Sequence, residues 1–227
     1  MTKNKNLKQL IIVCRDFDIN WNQFLNPIYV GVESGAVALI KNNLPIQFIS
    51  GDFDSINKKQ WELINYQQKK ANFKVFKVDQ KKDYLDSELA IATALKLKVP
   101  FQQVVIISSG QRWDMILAQI NFLRKYQKYQ PILIDEDNYL FTLKAKSKFI
   151  VPEHLLNYRY ISFFCLNDQS VTYNFTGCKY YNASDIIINN QDVLAISNEF
   201  DLTVTKNPTI EIKSGDCIVA LSQRIST

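Results

Sequence analysis

The first half of the chain alternates short, continuously apolar runs rich in β-branched residues with longer stretches of helical periodicity. Runs at 10–14, 28–32, 46–50, 74–78 and 104–108 are too short and too evenly apolar for surface helices, so they predict buried strands. Stretches at 34–41, 57–70, 86–97 and 113–127 predict helices, the second opening on an Asn-x-x-Gln capping box at Asn57 and Gln60. This strand and helix alternation predicts a mostly parallel sheet with flanking helices.

Beyond Pro131 the pattern changes. Helical periodicity stops, and apolar runs at 159–166, 171–175, 185–188, 202–205, 209–213 and 217–221 are separated by Asn, Asp, Gly or Pro. They predict a small antiparallel sandwich. A lysine-rich stretch ahead of Val151 and Pro152 marks the change, giving an α/β domain over 1–145 and a smaller all-β sandwich over 146–227. A length of 227 residues suits two modest domains.

Composition narrows the classes of partner. With 47% hydrophobic and 22% charged residues the chain is expected to fold throughout. The formal charge is +5, but the lysines are scattered and form no stripe with interleaved aromatics, so no nucleic acid partner is expected. No apolar run approaches the roughly 20 residues of a membrane span. Cys14, Cys165, Cys178 and Cys217 lie far apart without a CxxC pair, and the opening residues carry no apolar leader core, which together predict a cytoplasmic protein. His154 is the single imidazole and the cysteines form no cluster, so a zinc site of the usual ligands is not expected and a metal would be a hard cation such as Mg2+ on carboxylates.

Three segments carry candidate chemistry, each following a predicted strand. Gly51-Asp52-Phe53-Asp54-Ser55 places two carboxylates at i and i+2 beyond the carboxyl end of a strand, where ligands of open parallel sheets bind. They suit a hard cation, or else serve as turn and capping residues. Lys82 and Asp83, followed by Asp86 and Glu88, form a second acidic segment entering a helix. The carboxylates either favour the helix dipole or, with Lys82, handle phosphate and magnesium; two such clusters at neighbouring strand ends favour the latter. The third is Ser108-Ser109-Gly110-Gln111-Arg112-Trp113-Asp114, where a small-residue loop and a guanidinium suit an anionic phosphate, and the plain alternative is a surface ion pair of Arg112 with Asp114.

Together these residues resemble the thiamine pyrophosphokinase family, in order and over most of the chain. Gly51 to Ser55 matches its GDFDS segment outright, and Lys82 to Glu88 is similar to its Lys-Asp-x-Thr-Asp-x-Glu segment. Arg112 to Asp114 matches its Arg-x-Asp, the run Gly31-Val32-Glu33-Ser34-Gly35-Ala36 resembles its early Asp-Gly-Gly-Ala region, and Ile196-Ser197-Asn198-Glu199-Phe200 resembles a segment of its second domain. The chain departs from the family at Glu33 for Asp, Ser34 for Gly, Leu85 for Thr and Met115 for His.

The resemblance implies transfer of a diphosphate from ATP to thiamine, with Mg2+ as cofactor and ATP as co-substrate, in a homodimer. It implies metal binding by Asp52, Asp54 and Asp83, and nucleotide handling by Lys82, Asp86, Arg112 and Asp114. Asp54, Asp83, Asp86, Arg112 and Asp114 make up the implied catalytic group, and Ser197 and Asn198 help bind thiamine. Two alternatives remain beside this reading: a relative that binds nucleotide or thiamine without catalysis or with another acceptor, and a phosphatase using an aspartyl nucleophile at Asp52-Phe53-Asp54. His154 is expected to be a surface or packing residue, Trp21, Trp61 and Trp113 to be buried packing aromatics, and Asp135-Glu136-Asp137 a solvated turn between strands.

Overall fold

The computed structural model describes residues 6–77, 85–108, 112–167, 169–180 and 184–224. The chain divides into two compact units, Lys5–Gln111 and a second made of Arg112–Thr227 with Met1–Asn4.

The first unit is the expected α/β layer. Its strands are β1 (Gln9–Val13), β2 (Pro27–Val32), β3 (Ile46–Gly51), β4 (Lys74–Lys77) and β5 (Gln103–Ile107), all parallel in the order β4-β3-β2-β1-β5. The predicted runs are therefore recovered to within a residue or so at each end. Strand order reverses at β1, which makes the carboxyl edge of this sheet a topological switch point of the kind that binds ligands. Residues Leu10, Ile11, Ile12 and Val13 are fully buried, as a strand covered on both faces requires. Each such side chain contributes roughly 1.5–3 kcal/mol by leaving water.

The helices of this unit are α1 (Gly35–Lys41), α2 (Lys58–Ala71) and α3 (Asp86–Lys96). Gly35 lets α1 start directly against β1, since a Cβ there would lie 1.8 Å from the Val13 carbonyl oxygen. The capping box of α2 forms as predicted: the Asn57 side chain accepts from Gln60 N–H at 3.0 Å, and the Gln60 side chain accepts from Asn57 N–H at 2.9 Å. Ala36, Val37, Ile49, Ile64 and Phe73 join α1, α2 and β3 in one buried cluster.

The second unit begins with α4 (Trp113–Lys125) and continues through β6 (Ile132–Ile134), β7 (Asn138–Leu143), β8 (Ser147–Ile150), β9 (Tyr158–Cys165), β10 (Ser170–Thr176), β11 (Ile186–Asn189), β12 (Thr209–Ser214) and β13 (Cys217–Arg224). Strands pair antiparallel as β6-β7-β13-β9 and as β11-β10-β12-β8. The two layers meet through rings: Phe163 of β9 stacks on Tyr173 of β10 at 4.2 Å, with Phe175 tilted at 5.6 Å.

Some expectations differ from this structure for local reasons. The run 202–205 is a turn, not a strand, because the Asp201 carboxylate accepts from both the backbone and the hydroxyl of Thr203 and curls the chain. Strand β8 was hidden in the lysine-rich stretch, where Lys148 is exposed on an edge strand paired with β12. Position 145/146 falls in the connection between β7 and β8, where the chain passes from one sheet of the second unit to the other. Helix α4, β6 and β7 group with that unit, because β7 pairs along its length with β13 near the end of the chain. The turn at Asp135 lies between β6 and β7 as expected, its carboxylate accepting from Asp137 N–H at 2.9 Å and Asn138 N–H at 2.7 Å.

Candidate active site

Glu33 leaves β2 in the left-handed region, with φ of 51°, which turns its side chain toward the loop after β3. Its Oε1 accepts from Phe53 N–H at 2.8 Å and its Oε2 from the Ser55 hydroxyl at 3.1 Å, so one carboxylate braces the 51–55 loop at its middle and its far end. Gly51, with φ of 147°, has no substitute here: a Cβ would lie 2.0 Å from Glu33 Oε1. Phe53 also adopts a positive φ of 63°, and its ring is anchored on Trp61 of α2 at 5.1 Å. With Phe53 held inward, the flanking Asp52 and Asp54 meet Glu33, and one carboxylate oxygen from each of the three lies within 4.8 Å of the others.

Helix capping does not account for this cluster, because Asn57 is the residue that caps α2. Asp52 makes a local contact of its own, accepting from Asp54 N–H at 3.3 Å. Burial pushes the Glu33 carboxyl above the usual carboxylate range; the bonds from Phe53 and Ser55 pull it back, and the charges of Asp52 and Asp86 push it up again. Asp86, the first residue of α3, is one of the charges that raise Glu33, and with Glu33 it also raises the Cys14 thiol, which burial above all pushes up to about 12. Three oxygen donors that repel one another, with no soft ligand among them, fit a hard divalent cation. Lys82 and Asp83 lie outside the described residues.

Glu33 was read from sequence only as a departure from a family pattern, and the structure makes it the centre of the loop. The pointer was the parallel pairing of β2 with β3: Val32 is in register with Ser50, which sets residue 33 beside residue 51.

In the second unit, Arg112 precedes α4 and Asp114 sits in its first turn. The guanidinium bonds Asp114 through two nitrogens, Nε to Oδ1 at 3.1 Å and Nη2 to Oδ2, the planar fork that also binds phosphate. This pair raises the Arg112 pKa and lowers that of Asp114, and both side chains are exposed. Trp113 between them is 80% exposed, against the expectation of a packing residue, because it stands on the outer side of the first turn of α4. Trp21 and Trp61 do pack, on Tyr29 at 5.8 Å and on Phe53.

Ser197 and Asn198 line a cavity of about 450 Å³, together with Tyr173, Lys179, Tyr180, Ile186 and residues 194–196. Asn198 is buried, and its amide is committed to the fold: Oδ1 accepts from Tyr180 N–H at 3.1 Å and Glu199 N–H at 2.9 Å, while Nδ2 donates to the Tyr180 carbonyl at 2.9 Å. Its backbone exchanges bonds with Ile161 of β9 at 2.8 and 3.0 Å. Asn198 thus shapes the wall of the cavity by fixing Tyr180, and exposed Ser197, with φ of 57°, stands at the turn beside it. Tyr173 and Ile186 come from strands whose runs in the sequence carry no mark of a site.

Comparison with known proteins identifies the family. The family model described as "Thiamin pyrophosphokinase, catalytic domain" matches residues 21–134, a stretch that contains Glu33, the 51–55 loop, Asp86, Arg112 and Asp114. The thiamine pyrophosphokinase of Bacillus subtilis (strain 168) is 31% identical over 175 residues, covering 76% of this chain and 78% of that protein. A crystal structure of thiamine pyrophosphokinase from Bacillus subtilis superposes with a TM-score of 0.76 at 25% identity, covering 96% of this chain and all of that one. The enzymes from Geobacillus thermodenitrificans and Candida albicans share the fold, with TM-scores of 0.74 and 0.71 at 21% and 16% identity; they cover 97% and 96% of this chain and are themselves covered over 99% and 90%. An acidic GDFDS loop at the carboxyl edge of a parallel sheet, a family model over half the chain and a relative aligned over three quarters of it agree: the chain belongs to the thiamin pyrophosphokinase family.

Proposed function

We propose that this chain is a magnesium-dependent thiamine diphosphokinase, transferring a diphosphate from ATP to the hydroxyethyl oxygen of thiamine and releasing AMP. The observation that carries the reading is the meeting of Glu33, Asp52 and Asp54 at the carboxyl edge of the sheet. Asp52 and Asp54 hold Mg2+ in this proposal, with Asp83 completing the set by family resemblance. The bound ion supplies charge neutralisation on the phosphates. Glu33 holds the 51–55 loop in the shape that presents the two aspartates. Asp86, Lys82, Arg112 and Asp114 handle the nucleotide; Arg112 exchanges the Asp114 fork for phosphate oxygens of the same geometry. No covalent enzyme intermediate is required, since positioning and charge compensation suffice for phosphoryl chemistry.

Thiamine is proposed to take the cavity of the second unit, where exposed Tyr180 offers a ring to an aromatic cation and Asn198 positions Tyr180. This gives a functional division between a nucleotide-handling part within 1–145 and a thiamine-binding part within 146–227. The exposed side chains of Ile187, Val193, Leu194 and Ile196 on the same unit support a homodimer. Among the described residues no helix is long and apolar enough to cross a membrane, which is compatible with the proposed cytoplasmic location.

The test is thiamine-dependent release of AMP. Purified full chain with ATP, thiamine and MgCl2 is expected to give equal amounts of AMP and thiamine diphosphate, and chelation by EDTA to stop both. Phosphate release without thiamine, or no AMP from a folded protein, overturns the reading. Sedimentation at assay concentration is expected to give a dimer; a fully active monomer removes that part of the proposal.

A further inference from the structure

Beyond the proposed activity, the pairing of β9 with β13 brings two cysteines together that the sequence holds far apart. Cys165 and Cys217 are directly opposite in register. The neighbouring position carries the backbone bond, Leu166 N–H to the Asp216 carbonyl at 2.9 Å, so Cys165 and Cys217 form a non-hydrogen-bonded pair. Phe163 agrees, since its N–H points away from β13 to the Ala195 carbonyl at 2.9 Å. Opposed residues of such a pair share a face of the sheet and bring their Cα atoms to about 4.5 Å, the closest approach an antiparallel ladder offers. Disulfides span Cα separations of about 4.4–6.8 Å, so the backbones already stand at bridging distance.

Burial and local bonds agree with a shared inward face. Cys217 is fully buried, and its Sγ lies 3.3 Å from the Ile218 carbonyl; Cys165 is partly exposed, its Sγ 3.8 Å from the Ile188 carbonyl of β11. The register is pinned at this point. Gln127 bridges the two strands just beyond the pair, its amide donating to Asp216 beside Cys217 and accepting from Asn167 Nδ2 at 2.9 Å, while Asp216 also accepts from Ala145 N–H at 2.8 Å.

We propose that Cys165 and Cys217 are a redox modification site, a thiol pair that closes to a cross-strand disulfide when a small disulfide oxidant is present. Cys165 is the entry point because solvent reaches it. Its thiolate attacks a sulfur of the oxidant, here glutathione disulfide, and releases one glutathione thiolate. The Cys217 sulfur then attacks Cys165 and releases the second. Two protein S–H bonds and the S–S bond of the oxidant are lost; one protein S–S bond forms, and the two protons and two electrons leave on the oxidant as two glutathione thiols. Rotation about each Cys χ1 brings the sulfurs together. The staple ties β13 to the strand whose Ile161 and Phe163 hold Asn198 and Ala195 at the cavity wall.

The experiment uses the full chain in buffers of graded glutathione disulfide content, quenched with acid and mapped without reduction. The expected result is a peptide pair linked through Cys165 and Cys217, and an intact mass lower by two hydrogens. The thermal midpoint should rise by about 5–10 °C and return with dithiothreitol. Cys165→Ser should keep the far-ultraviolet spectrum and abolish both the link and the shift. A stable glutathione adduct on Cys165 with Cys217 still alkylatable after denaturation, or links through Cys14 or Cys178 instead, overturns the proposal. If Cys165→Ser does not fold, the peptide map of the unaltered chain decides alone.

Discussion

In the unit Lys5–Gln111 the candidate chemistry is carried by charged loops: Glu33 reaches Ser55 across 22 residues, and every carboxylate of the cluster sits just past a strand end. In the unit that starts at Arg112 the candidate cavity is walled by tyrosine rings, aliphatic side chains and a buried amide drawn from β10, β11 and two loops. The first is an arrangement of charge, braced by Glu33, that is proposed to seat a cation; the second is an arrangement of shape that the protein's own hydrogen bonds complete. Substitution should therefore separate them, with charge removal affecting turnover at nearly constant stability in one and amide removal affecting stability and substrate affinity together in the other.

Asp54→Asn gives the largest expected effect. A neutral amide is a poorer ligand for a hard cation, and turnover should fall by about 10²–10³-fold while the thermal midpoint stays near its original value. AMP release across a magnesium titration, beside a melting curve, reads both. Near-normal turnover would remove the metal role from this residue.

Gly51→Ala comes next, because it touches the brace. The added Cβ meets Glu33 Oε1 at 2.0 Å at a φ of 147°, so a loss of about 1–3 kcal/mol is expected, together with at least a tenfold fall in activity. Adding Glu33→Ala removes the overlap and leaves only the backbone strain, so the pair should be less destabilised than the sum of the singles by about 0.5–3 kcal/mol. Strict additivity in denaturant unfolding would show that the Glu33 carboxylate is not what excludes a side chain at position 51.

Asn198→Ala tests the other side of the comparison. Three bonds that fix Tyr180 and Glu199 are lost and backbone groups near the cavity are left without them, at a cost of about 1–3 kcal/mol. The KM for thiamine should rise while the magnesium titration is unchanged. An altered magnesium dependence with normal thiamine affinity would contradict the proposed separation of roles between the acidic loop and the cavity.

Met115→His is the smallest. Met115 is half-buried in the first turn of α4, one residue past the Arg112–Asp114 fork. A thioether accepts hydrogen bonds weakly and donates none, whereas an imidazole adds one worth roughly 0.5–1.5 kcal/mol. ATP affinity should change by about tenfold or less, measured by titration calorimetry, with folding unaffected. No change identifies Met115 as a packing residue.

What was legible in the sequence and what was not follow from range. The five strands of the first unit, the Asn57–Gln60 cap and the turn at Asp135 were readable because each is dictated within a few residues, by period, by a capping pair or by a side chain bonding its own backbone. The Asp52 and Asp54 placement was readable for the same reason, since a strand followed by a short acidic loop is a local pattern. The run 202–205 failed because its apolar residues imitate a strand while Asp201 curls the chain. Strand β8 was missed because an exposed edge strand carries lysines rather than a hydrophobic stripe. Position 145/146 marks a change of sheet, since β7 is claimed by β13, a partner that no local pattern names.

By itself, then, the sequence determined the alternation of elements, the identity of the GDFDS loop and the family to which it pointed. Only the tertiary structure decided that Glu33 braces that loop, that Asn198 is spent on Tyr180, and that Cys165 faces Cys217. The physical reason is common to all three: each depends on which strands become neighbours and in what register. Pairing is chosen by burial of whole faces across the sheet, and no single segment records it.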